Sequence, residues 1–468
     1  MYQAVHLSAE CFPIAKVGGL GDVVGALPKY LNIAGISTCV ILPKYNQKWN
    51  ATHPAEAIHQ GICTNENFYV EYKILRYVDV HLGFDVYLVD IPNLLFRDNI
   101  YGYDDDSIRF LFFQQAAINW INNWAGKPEI IHCHDYHTGL IPFMINNCYD
   151  FGNLAGIKTV FTIHNGLYSG AFPTYLLSYF PHFPKESVGL LEWDQTINPL
   201  ATGIKCSNRV TTVSAGYLDE LKYQDNAYNW LYNEYGFKCK GIVNGIDTEV
   251  WNPKTDNYLI HLLKNDWASF KQKNKEEICK SVGLDANKPL TIFIGRLNTE
   301  KGGELVYQGI HDFLAGNQQM NFYVLGSGAH QIEDAIKRLS GYHPNNVANY
   351  IGYNEELAHR LYTAADFLMM PSLVEPCGLN QMYALRYGTI PIVRAVGGLK
   401  DTVVDFGDFG GYGIRFNAPE AYDLVTSLYR AFDLYADSDK FDHVRELAVK
   451  LDFSWTKAVN NYIEIYKS

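Results

Sequence analysis

The sequence predicts an α/β protein of two lobes, each built on its own parallel sheet flanked by helices. Short runs rich in β-branched residues alternate with loops and longer amphipathic stretches, which is typical of repeated strand–helix units. This pattern stops at a connector over 246–253 and then restarts. The chain of 468 residues is also long for one domain, since domains average ~150 residues. We therefore place the first lobe at 1–245 and the second at 246–453.

The first lobe opens with a complete strand, loop and helix. We expect a strand over 3–8, a loop through 18–19 and a helix over 21–34. Gly35 suits the end of this helix. A long helix is predicted over 107–124, with the serine at its start as the N-cap. Further strands are expected at 37–42, 85–90, 129–133, 158–163 and 209–213.

The second lobe repeats this arrangement. Its strands are expected at 290–294, 321–325, 347–351, 367–370 and 389–393. Ligands of parallel sheets bind beyond the carboxyl ends of the strands, so two lobes with facing carboxyl ends predict a deep cleft. The segments 17–24 and 396–403 share six of eight residues. This similarity indicates either that two loop-to-helix turns converged on the same residues or that each lobe places one glycine loop at the cleft.

The composition is that of a globular protein with no preference for polyanions. Hydrophobic residues make up 48% and charged residues 19%, which excludes a disordered chain. The net charge of −12 disfavours nucleic acid as a partner. Nine scattered cysteines without CxxC spacing favour a reducing compartment, and no apolar run approaches the ~20 residues of a membrane span. These features predict a cytoplasmic protein with no membrane partner.

Two loops carry residues suited to a phosphate group. Gly18 and Gly19 let the backbone approach an anion before a helix, and Lys16 adds a point charge. In the second half, Arg296 and Lys301 stand five residues apart in a loop after a buried strand, a spacing suited to a diphosphate clamp. Their position at the carboxyl end of a strand favours this role over that of solvated surface charges.

Polar residues at other strand ends are candidates for binding a substrate. Glu375 lies just before a helix predicted to begin near Gly378, and Pro376 makes it less suited to an ordinary helix cap. The run 132–137 holds three histidines and an aspartate at a strand end, and His164 ends the next strand. Because this spacing differs from the helical pair of zinc hydrolases, contacts to a substrate are favoured over a metal site.

Several enzyme classes are disfavoured by their missing motifs. After Gly21 the next glycine is Gly25, one residue late for the dinucleotide fingerprint, so hydride transfer is a weak candidate. The chain has no GxSxG segment, which disfavours a serine hydrolase of the α/β type. A carboxylate pair of the glycosidase kind stays open, because 50 acidic residues are available.

Seven short segments form an ordered set that extends over nearly the whole chain, together with Asp452-Phe453-Ser454-Trp455 near its end. They are Lys16-Val17-Gly18-Gly19-Leu20, His134-Asp135-Tyr136-His137, Thr162-Ile163-His164-Asn165, Asn244-Gly245-Ile246-Asp247, the segment from Arg296 to Lys301, Glu375-Pro376-Cys377-Gly378-Leu379, and Gly397-Gly398-Leu399. The set resembles the bacterial glycogen synthases and plant starch synthases, retaining glycosyltransferases of family 5 with the GT-B fold.

This resemblance implies transfer of glucose, with retention, from ADP-glucose or UDP-glucose to the 4-hydroxyl group at the non-reducing end of an α-1,4-glucan. The lysine loop is closer to that of the ADP-glucose branch. Neither a metal nor a cofactor is implied. The implied architecture is two Rossmann-like lobes that face a deep cleft, with a C-terminal helix over about 454–468 that returns to the first lobe.

The resemblance also implies roles for individual residues. The catalytic set is Lys16, Asp135, His164, Arg296, Lys301 and Glu375. The substrate-binding set is Gly18, Gly19, Asn244, Tyr353, Cys377, Gly378, Leu379 and Asn380. In these sets the three cations hold the diphosphate, Glu375 binds glucose hydroxyl groups, Asp135 and His164 line the glucose site, and the Tyr353 ring stacks on the base.

Three residues depart from the family pattern. Asn380 replaces a hydroxyl residue beside the phosphate, Tyr136 replaces a tryptophan, and Gly166 replaces a larger residue. The last two bear on acceptor preference, which keeps open another retaining GT-B transferase with a different acceptor. A glucan phosphorylase would need a lysine-bound pyridoxal phosphate. A non-catalytic glucan-binding protein would be expected to lack the cations or Glu375, which are present.

Overall fold

A computed structural model describes residues 2–224 and 226–468. The chain divides into unit one, Met1–Gly245 with Trp455–Ser468, and unit two, Ile246–Ser454. The connector over 246–253 holds turns and neither helix nor strand, as predicted. Each unit has one large sheet, and each is described by itself. Among the described residues, no helix is both long and apolar enough to cross a membrane.

Unit one is built on a mixed sheet. In the described part of the chain its strands are β1 (Ala4–Leu7), β2 (Thr38–Pro43), β3 (Ala55–Asn65), β4 (Phe68–Tyr77), β5 (Asp85–Asp90), β6 (Ile130–His134), β7 (Lys158–Ile163), β8 (Glu192–Trp193), β9 (Thr196–Ile197), β10 (Arg209–Thr212) and β11 (Cys239–Gly241). The large sheet has the order β11-β10-β7-β6-β1-β2-β5-β4-β3, and β8 pairs with β9 separately. The six strands predicted for this lobe are confirmed to within one residue at each end.

The helices of unit one pack on this sheet. They begin with α1 (Gly19–Ile33), α2 (Lys48–Thr52), α3 (Asp106–Asn122), α4 (Ile141–Asn147), α5 (Val188–Leu191), α6 (Pro199–Cys206), α7 (Ala215–Tyr223) and α8 (Asn229–Glu234). The prediction of Ser107 as an N-cap is wrong, because α3 begins one residue earlier. The Asp106 carboxylate accepts hydrogen bonds from the backbone of Gly102, at 2.6 Å, and of Tyr103, at 3.2 Å. This contact fixes the start of the helix.

A hairpin at one edge of the sheet was not predicted from the sequence. β3 and β4 are antiparallel, β4 also pairs antiparallel with β5, and the turn lies at Glu66 and Asn67. Most side chains of β3 are exposed or half-buried, so the strand lacks the apolar run that marks a buried strand. Its stability comes from pairing and from packing such as that of Phe68 on Phe112, whose ring centroids are 5.0 Å apart.

Unit two has a parallel sheet of order β14-β13-β12-β15-β16-β17. The strands are β12 (Leu290–Ile294), β13 (Asn321–Gly326), β14 (Val347–Ile351), β15 (Phe367–Met370), β16 (Ile390–Arg394) and β17 (Ile414–Phe416). The helices are α9 (Trp267–Val282), α10 (Gly303–Gly316), α11 (His330–Tyr342), α12 (Glu355–Ala364), α13 (Asn380–Arg386), α14 (Gly397–Thr402), α15 (Ala421–Ala436) and α16 (Ser438–Ala448). The five predicted strands are confirmed to within one residue, and the short β17 was not predicted.

The sheet of unit two is covered on both faces. Along β13, Phe322 and Val324 pack in the layer of α10 and α15, whereas Tyr323 and Leu325 pack in the layer of α9 and α12. Successive side chains of a strand point to opposite faces. The uninterrupted apolar runs in this half of the sequence are therefore those of strands buried on both sides.

The last helix, α17 (Trp455–Lys467), belongs to unit one. Its buried residues Trp455, Val459 and Tyr462 pack with Val23 and Leu27 of α1. A Cβ atom at Gly245 would lie 2.6 Å from the backbone nitrogen of Trp455, so the close approach requires glycine there.

Candidate active site

In both units several predicted site residues follow the strands at which the strand order changes direction. In unit one, β1 lies between β6 and β2, and in unit two, β12 lies between β15 and β13. Parallel α/β sheets bind ligands at such switch points, beyond the carboxyl ends of the strands. The glycine loop follows β1 and Asp135 follows β6, while Arg296 follows β12 and Glu375 follows β15.

The glycine loop of unit one is organised by Glu10, a residue that the sequence analysis did not single out. Its Oε2 atom accepts hydrogen bonds from the amides of Val17, at 2.6 Å, and Gly18, at 2.9 Å, and its Oε1 atom accepts one from the Tyr101 hydroxyl at 3.0 Å. The Gly18 amide, predicted to face the diphosphate, thus has a carboxylate partner here. The available signal was an acid two residues after the strand predicted over 3–8.

Lys16 lies beside the same loop and pairs with an acid of α1. Its Nζ atom is 2.7 Å from Oδ1 of Asp22, and its side chain is 35% exposed. Gly19, at the start of α1, has no atom within 4 Å of the position of a Cβ. The backbone here is therefore open to a ligand, and Lys16 is accessible beside it.

Asp135 is buried and holds the strand ends of β6 and β7 together. Its backbone has a φ of 55° and a ψ of 177°, a combination that is strained for a residue other than glycine. Its Oδ1 atom accepts hydrogen bonds from the amides of His164, at 2.7 Å, and Asn165, at 3.4 Å. Burial raises the pKa of the Asp135 carboxyl to about 7, against the lowering effect of these two hydrogen bonds.

The ring of His164 is in contact with a second histidine. Its Nε2 atom is 3.0 Å from Nδ1 of His134, and its buried Nδ1 atom has no hydrogen-bond partner among the described residues. Burial lowers the pKa of His164 to about 3, so the ring is neutral at physiological pH. Asp135 and His164 are thus adjacent, and both can hydrogen-bond to hydroxyl groups, with the carboxyl group about half protonated near pH 7.

The three histidines of the 132–137 run separate into two environments. His132 and His134 join His6, whose side chain the sequence analysis did not consider, in a fully buried group with nitrogen atoms within 4.8 Å of one another. His137 instead stacks on the Tyr136 ring, with centroids 3.8 Å apart. Each ring nitrogen of the buried group already faces a hydrogen-bonding partner. A metal would have to displace those bonds.

In unit two, the structure brings Lys301 and Glu375 together. The Lys301 Nζ atom lies 2.7 and 2.6 Å from the two Glu375 oxygens, and the Ser372 hydroxyl donates to Oε2 at 3.0 Å. The side chain of Glu375 is 6% exposed and that of Lys301 is 24% exposed. The ammonium group of Lys301 remains accessible beside this buried carboxylate.

Arg296 lies on the same loop as Lys301 but has its own acid. Its Nη2 atom is 3.2 Å from Oε2 of Glu300, and its side chain is 55% exposed. Each of the three predicted phosphate-binding cations is therefore paired with a carboxylate.

The remaining predicted residues differ in how they are placed. The Asn380 side chain donates to the Ile294 carbonyl oxygen at 2.7 Å and so ties α13 to the end of β12. Gly378 has a φ of 75°, which favours glycine. Cys377 is a buried free thiol. The helix predicted to begin near residue 378 is α13, which begins at Asn380 with Leu379 as its N-cap.

Two predicted residues lie apart from these clusters. Tyr353 is 77% exposed, and its hydroxyl contacts the Glu355 carboxylate. Its open ring face suits stacking on a planar base. Asn244 is buried in unit one, and its Oδ1 atom has no hydrogen-bond partner among the described residues.

Two of the residues that depart from the family pattern, Tyr136 and Gly166, lie in unit one. Tyr136 lines a cavity of about 290 Å³, together with Asp104, Asp106 and Phe110. A Cβ atom at Gly166 would lie 2.9 Å from a methyl group of Leu221. Neighbouring side chains thus fill the space that a larger residue would need.

Comparisons with known proteins show which family this chain belongs to. The family model of the starch synthase catalytic domain matches residues 3–243, and that of glycosyl transferases group 1 matches 274–432. The glycogen synthase of Flavobacterium johnsoniae is 48% identical over 464 residues, 98% of each chain, and that of Streptococcus gordonii is 37% identical over 482 residues, 99% of each chain.

A solved structure is similar over the whole chain. It is the catalytic domain of starch synthase IV from Arabidopsis thaliana bound to ADP and acarbose, with a TM-score of 0.89 and 31% identity over 100% of this chain and 99% of that one. Two α/β units with site residues at the strand ends define a glycosyltransferase of the GT-B fold. More particularly, the chain belongs to the family of glycogen synthases and starch synthases, and its function is glycosyl transfer in glycogen synthesis.

Proposed function

We propose that the enzyme transfers glucose from ADP-glucose, with retention of the anomeric configuration, to the 4-hydroxyl group at the non-reducing end of an α-1,4-glucan. The observation that carries this proposal is the contact between Lys301 and the buried Glu375 at the switch point of unit two. The pair offers a cation for a departing diphosphate beside a fixed acceptor for sugar hydroxyl groups.

The charges suit the bond that breaks. When the bond between the anomeric carbon and the phosphate oxygen breaks, negative charge develops on the diphosphate. Lys16, Arg296 and Lys301 stabilise this charge, because cations aimed at a developing charge lower the barrier. Each is already held by an acid, at 2.7, 3.2 and 2.6 Å respectively, so their positions are fixed before the donor arrives.

Retention needs no nucleophile from the protein in this proposal. The acceptor hydroxyl attacks from the face that the leaving group vacates, the new carbon–oxygen bond forms there, and the hydroxyl proton passes to the phosphate oxygen that has left. Asp135 and His164 contact the glucose, and the backbone at Gly378 and Leu379, with Cys377 and Asn380, contacts the phosphates. Asn244 is a further substrate-binding residue.

The nature of the donor is supported by two observations. The starch synthase IV structure, which is similar over the whole chain, is described as bound to ADP. In this chain, the exposed ring of Tyr353 is available to stack on an adenine. UDP-glucose is the alternative donor, since stacking tolerates either base.

The acceptor is assigned to unit one. The Tyr136 cavity offers an aromatic face and the carboxylates of Asp104 and Asp106, which together suit stacking and hydrogen bonding to a sugar. We propose that the reaction needs neither a metal nor a cofactor, since the three cations supply the charge. We also assign the enzyme to the cytoplasm, where its nine cysteines, which are all free thiols, remain reduced.

A direct assay of the reaction tests the proposal. ADP-, UDP- and GDP-glucose are supplied separately with glycogen in the presence of EDTA, and polymer-bound glucose is measured. We expect the highest kcat/KM with ADP-glucose, and the NMR spectrum of the first product should contain only new α-1,4 linkages. Incorporation from none of the donors, or a β linkage, would contradict the proposal.

A further inference from the structure

A chain of hydrogen bonds runs through unit one from His164 to the C-terminal helix. The Nδ1 atom of His134 faces Nε2 of His164 at 3.0 Å, and the Nε2 atom of His134 faces Nδ1 of His6 at 3.0 Å. The Tyr466 hydroxyl lies 3.4 Å from Nε2 of His6 and 2.8 Å from Nδ1 of His132. The chain joins strands β1, β6 and β7 to α17.

Beyond His132, the series of hydrogen bonds continues through two threonines. The Nε2 atom of His132 is 2.6 Å from the Thr162 hydroxyl, which is 2.6 Å from the Thr211 hydroxyl. His6, His132 and His134 have no exposed surface, and neither threonine does. Water therefore has no access to these bonds, and each group depends on its neighbours in the chain.

The number of protons allows only two arrangements. Burial lowers the pKa of all four imidazoles, to about 3 for His6 and His164, so each ring is neutral and has one N–H donor and one acceptor nitrogen. Burial raises the pKa of Tyr466 well above its usual value, so the phenol keeps its single proton. Among the described residues, its hydroxyl bonds to His6 and His132 alone.

The proton donor in one of these hydrogen bonds determines the proton donor in the next one. If His164 carries its proton on Nε2, then His134 and His6 must do the same, the Tyr466 proton goes to His132, and His132 also carries its proton on Nε2. In the reverse direction all four rings carry the proton on Nδ1. A mixed set would leave two donors or two acceptors face to face, or a buried hydroxyl proton without an acceptor, and an unsatisfied buried polar group is unfavourable.

We propose that Tyr466 is a positioning residue that links these four histidines into a single chain with one shared tautomer. The tautomer determines whether the unpartnered Nδ1 of His164 offers a donor or an acceptor to the sugar. This role rests on the proposed function, in which His164 lines the glucose site. The C-terminal helix thus acts on the His164 side chain through two intervening rings, those of His6 and His134, without touching substrate.

Side-chain nitrogen NMR of the protein labelled with 15N-histidine tests the shared tautomer without substrate, so its result is independent of the catalytic proposal. Protonated and unprotonated ring nitrogens have well-separated 15N shifts, and single histidine-to-glutamine variants assign the signals. We expect His6, His132, His134 and His164 to show one tautomer, either all Nε2–H or all Nδ1–H. A mixed set, or a charged ring near pH 7, would overturn the inference.

The Tyr466→Phe variant tests the link itself. It interrupts the chain between His6 and His132, so we expect the 15N shifts of both to move and kcat to fall about tenfold, the lower end of the range for groups that orient a histidine, with KM for the donor unchanged. Tyr462→Phe is the matched control. Tyr462 lies on the same helix, and its ring centroid is 5.9 Å from that of His132, but its hydroxyl group takes no part in this series of hydrogen bonds. If both variants changed the histidine 15N shifts equally and lowered kcat equally, Tyr466 would contribute only packing, which would contradict the inference. The wild-type tautomers remain a test if the variant does not fold.

Discussion

The two units hold different polar groups at similar places. In unit one, Asp135 after β6 has a pKa of about 7 and His164 after β7 is kept neutral by burial, while the loop after β1 holds an ion pair, Lys16 with Asp22. In unit two, the groups after β12 and β15 are ion pairs, Lys301 with Glu375 and Arg296 with Glu300. Each arrangement lies among parallel strands near a switch point, so the difference comes from the side chains and not from the topology.

In the proposed function, this contrast suits two chemically different parts of a substrate. Neutral groups such as His164 and a fixed carboxylate such as Glu375 can both hydrogen-bond to sugar hydroxyl groups. A diphosphate needs fixed positive charge, and buried cations without partners would be costly to hold in place. Pairing each proposed phosphate-binding cation with an acid holds it in position.

Breaking the Lys301–Glu375 pair gives the largest expected effect. We expect Lys301→Ala to lower kcat of glucosyl transfer by about a hundredfold to a thousandfold. The same change should lower the free energy of unfolding by about 3 kcal/mol, because Glu375 stays buried without its cation. Transfer is measured at saturating donor, and stability by urea denaturation.

The double variant Lys301→Ala/Glu375→Gln is the control for this prediction. The neutral amide removes the unpaired charge, so we expect stability to recover while transfer stays low. Wild-type activity in Lys301→Ala would show that the lysine has no role in the reaction.

The second prediction concerns Asp135 in unit one and the dependence of stability on pH. Because folding raises the pKa of this carboxyl from 3.8 to about 7, the folded state favours its protonated form. Asp135 therefore costs stability as the pH rises from about 4 to 7. We expect the free energy of unfolding of the wild type, relative to Asp135→Asn, to fall by about 2 to 4 kcal/mol over this range.

Urea denaturation of both proteins at pH 4.5, 6 and 8 measures this difference. Asparagine has nearly the same size and shape as aspartate, so the backbone strain is similar in both proteins, and its carbonyl oxygen can accept the same two hydrogen bonds. A difference that is the same at all three pH values would contradict the raised pKa.

An intermediate effect is expected for Arg296, which is more exposed than Lys301. We expect Arg296→Ala to reduce kcat/KM for the donor by about tenfold to a hundredfold. The free energy of unfolding should change by less than about 0.5 kcal/mol, because an exposed pair contributes little. Arg360→Ala is the matched control, since Arg360 and Glu356 form the same i,i+4 kind of pair on unit two. Loss of transfer in the control as well would mean that the effect is not specific to the site.

The smallest effect is expected from packing in unit one. We expect Gly166→Ala to lower the free energy of unfolding by about 1 kcal/mol, because its Cβ would crowd Leu221 and Tyr232. Gly152→Ala is the control, since no atom lies within 4 Å of the Cβ position there. Thermal unfolding of both variants measures the difference, and equal stability of the two would contradict the crowding.

The sequence predicted the strands well where their apolar runs are buried on both faces, as along β13. It missed the β3–β4 hairpin, whose side chains are largely exposed and whose stability comes from pairing with a neighbour. It singled out Lys301 and Glu375 separately from their positions at strand ends. Their contact spans 74 positions in the sequence, and no local pattern reports a pair that far apart.

The sequence by itself determined the two-lobed α/β class, the order of the strands along the chain and the family, because these depend on local periodicity and on short ordered motifs. The tertiary structure alone decided the protonation of Asp135, the partner of each cation and the connection of His164 to Tyr466. These depend on burial and on distances between residues remote in the chain. A pKa or a tautomer is set by the surroundings of a group, and folding creates those surroundings.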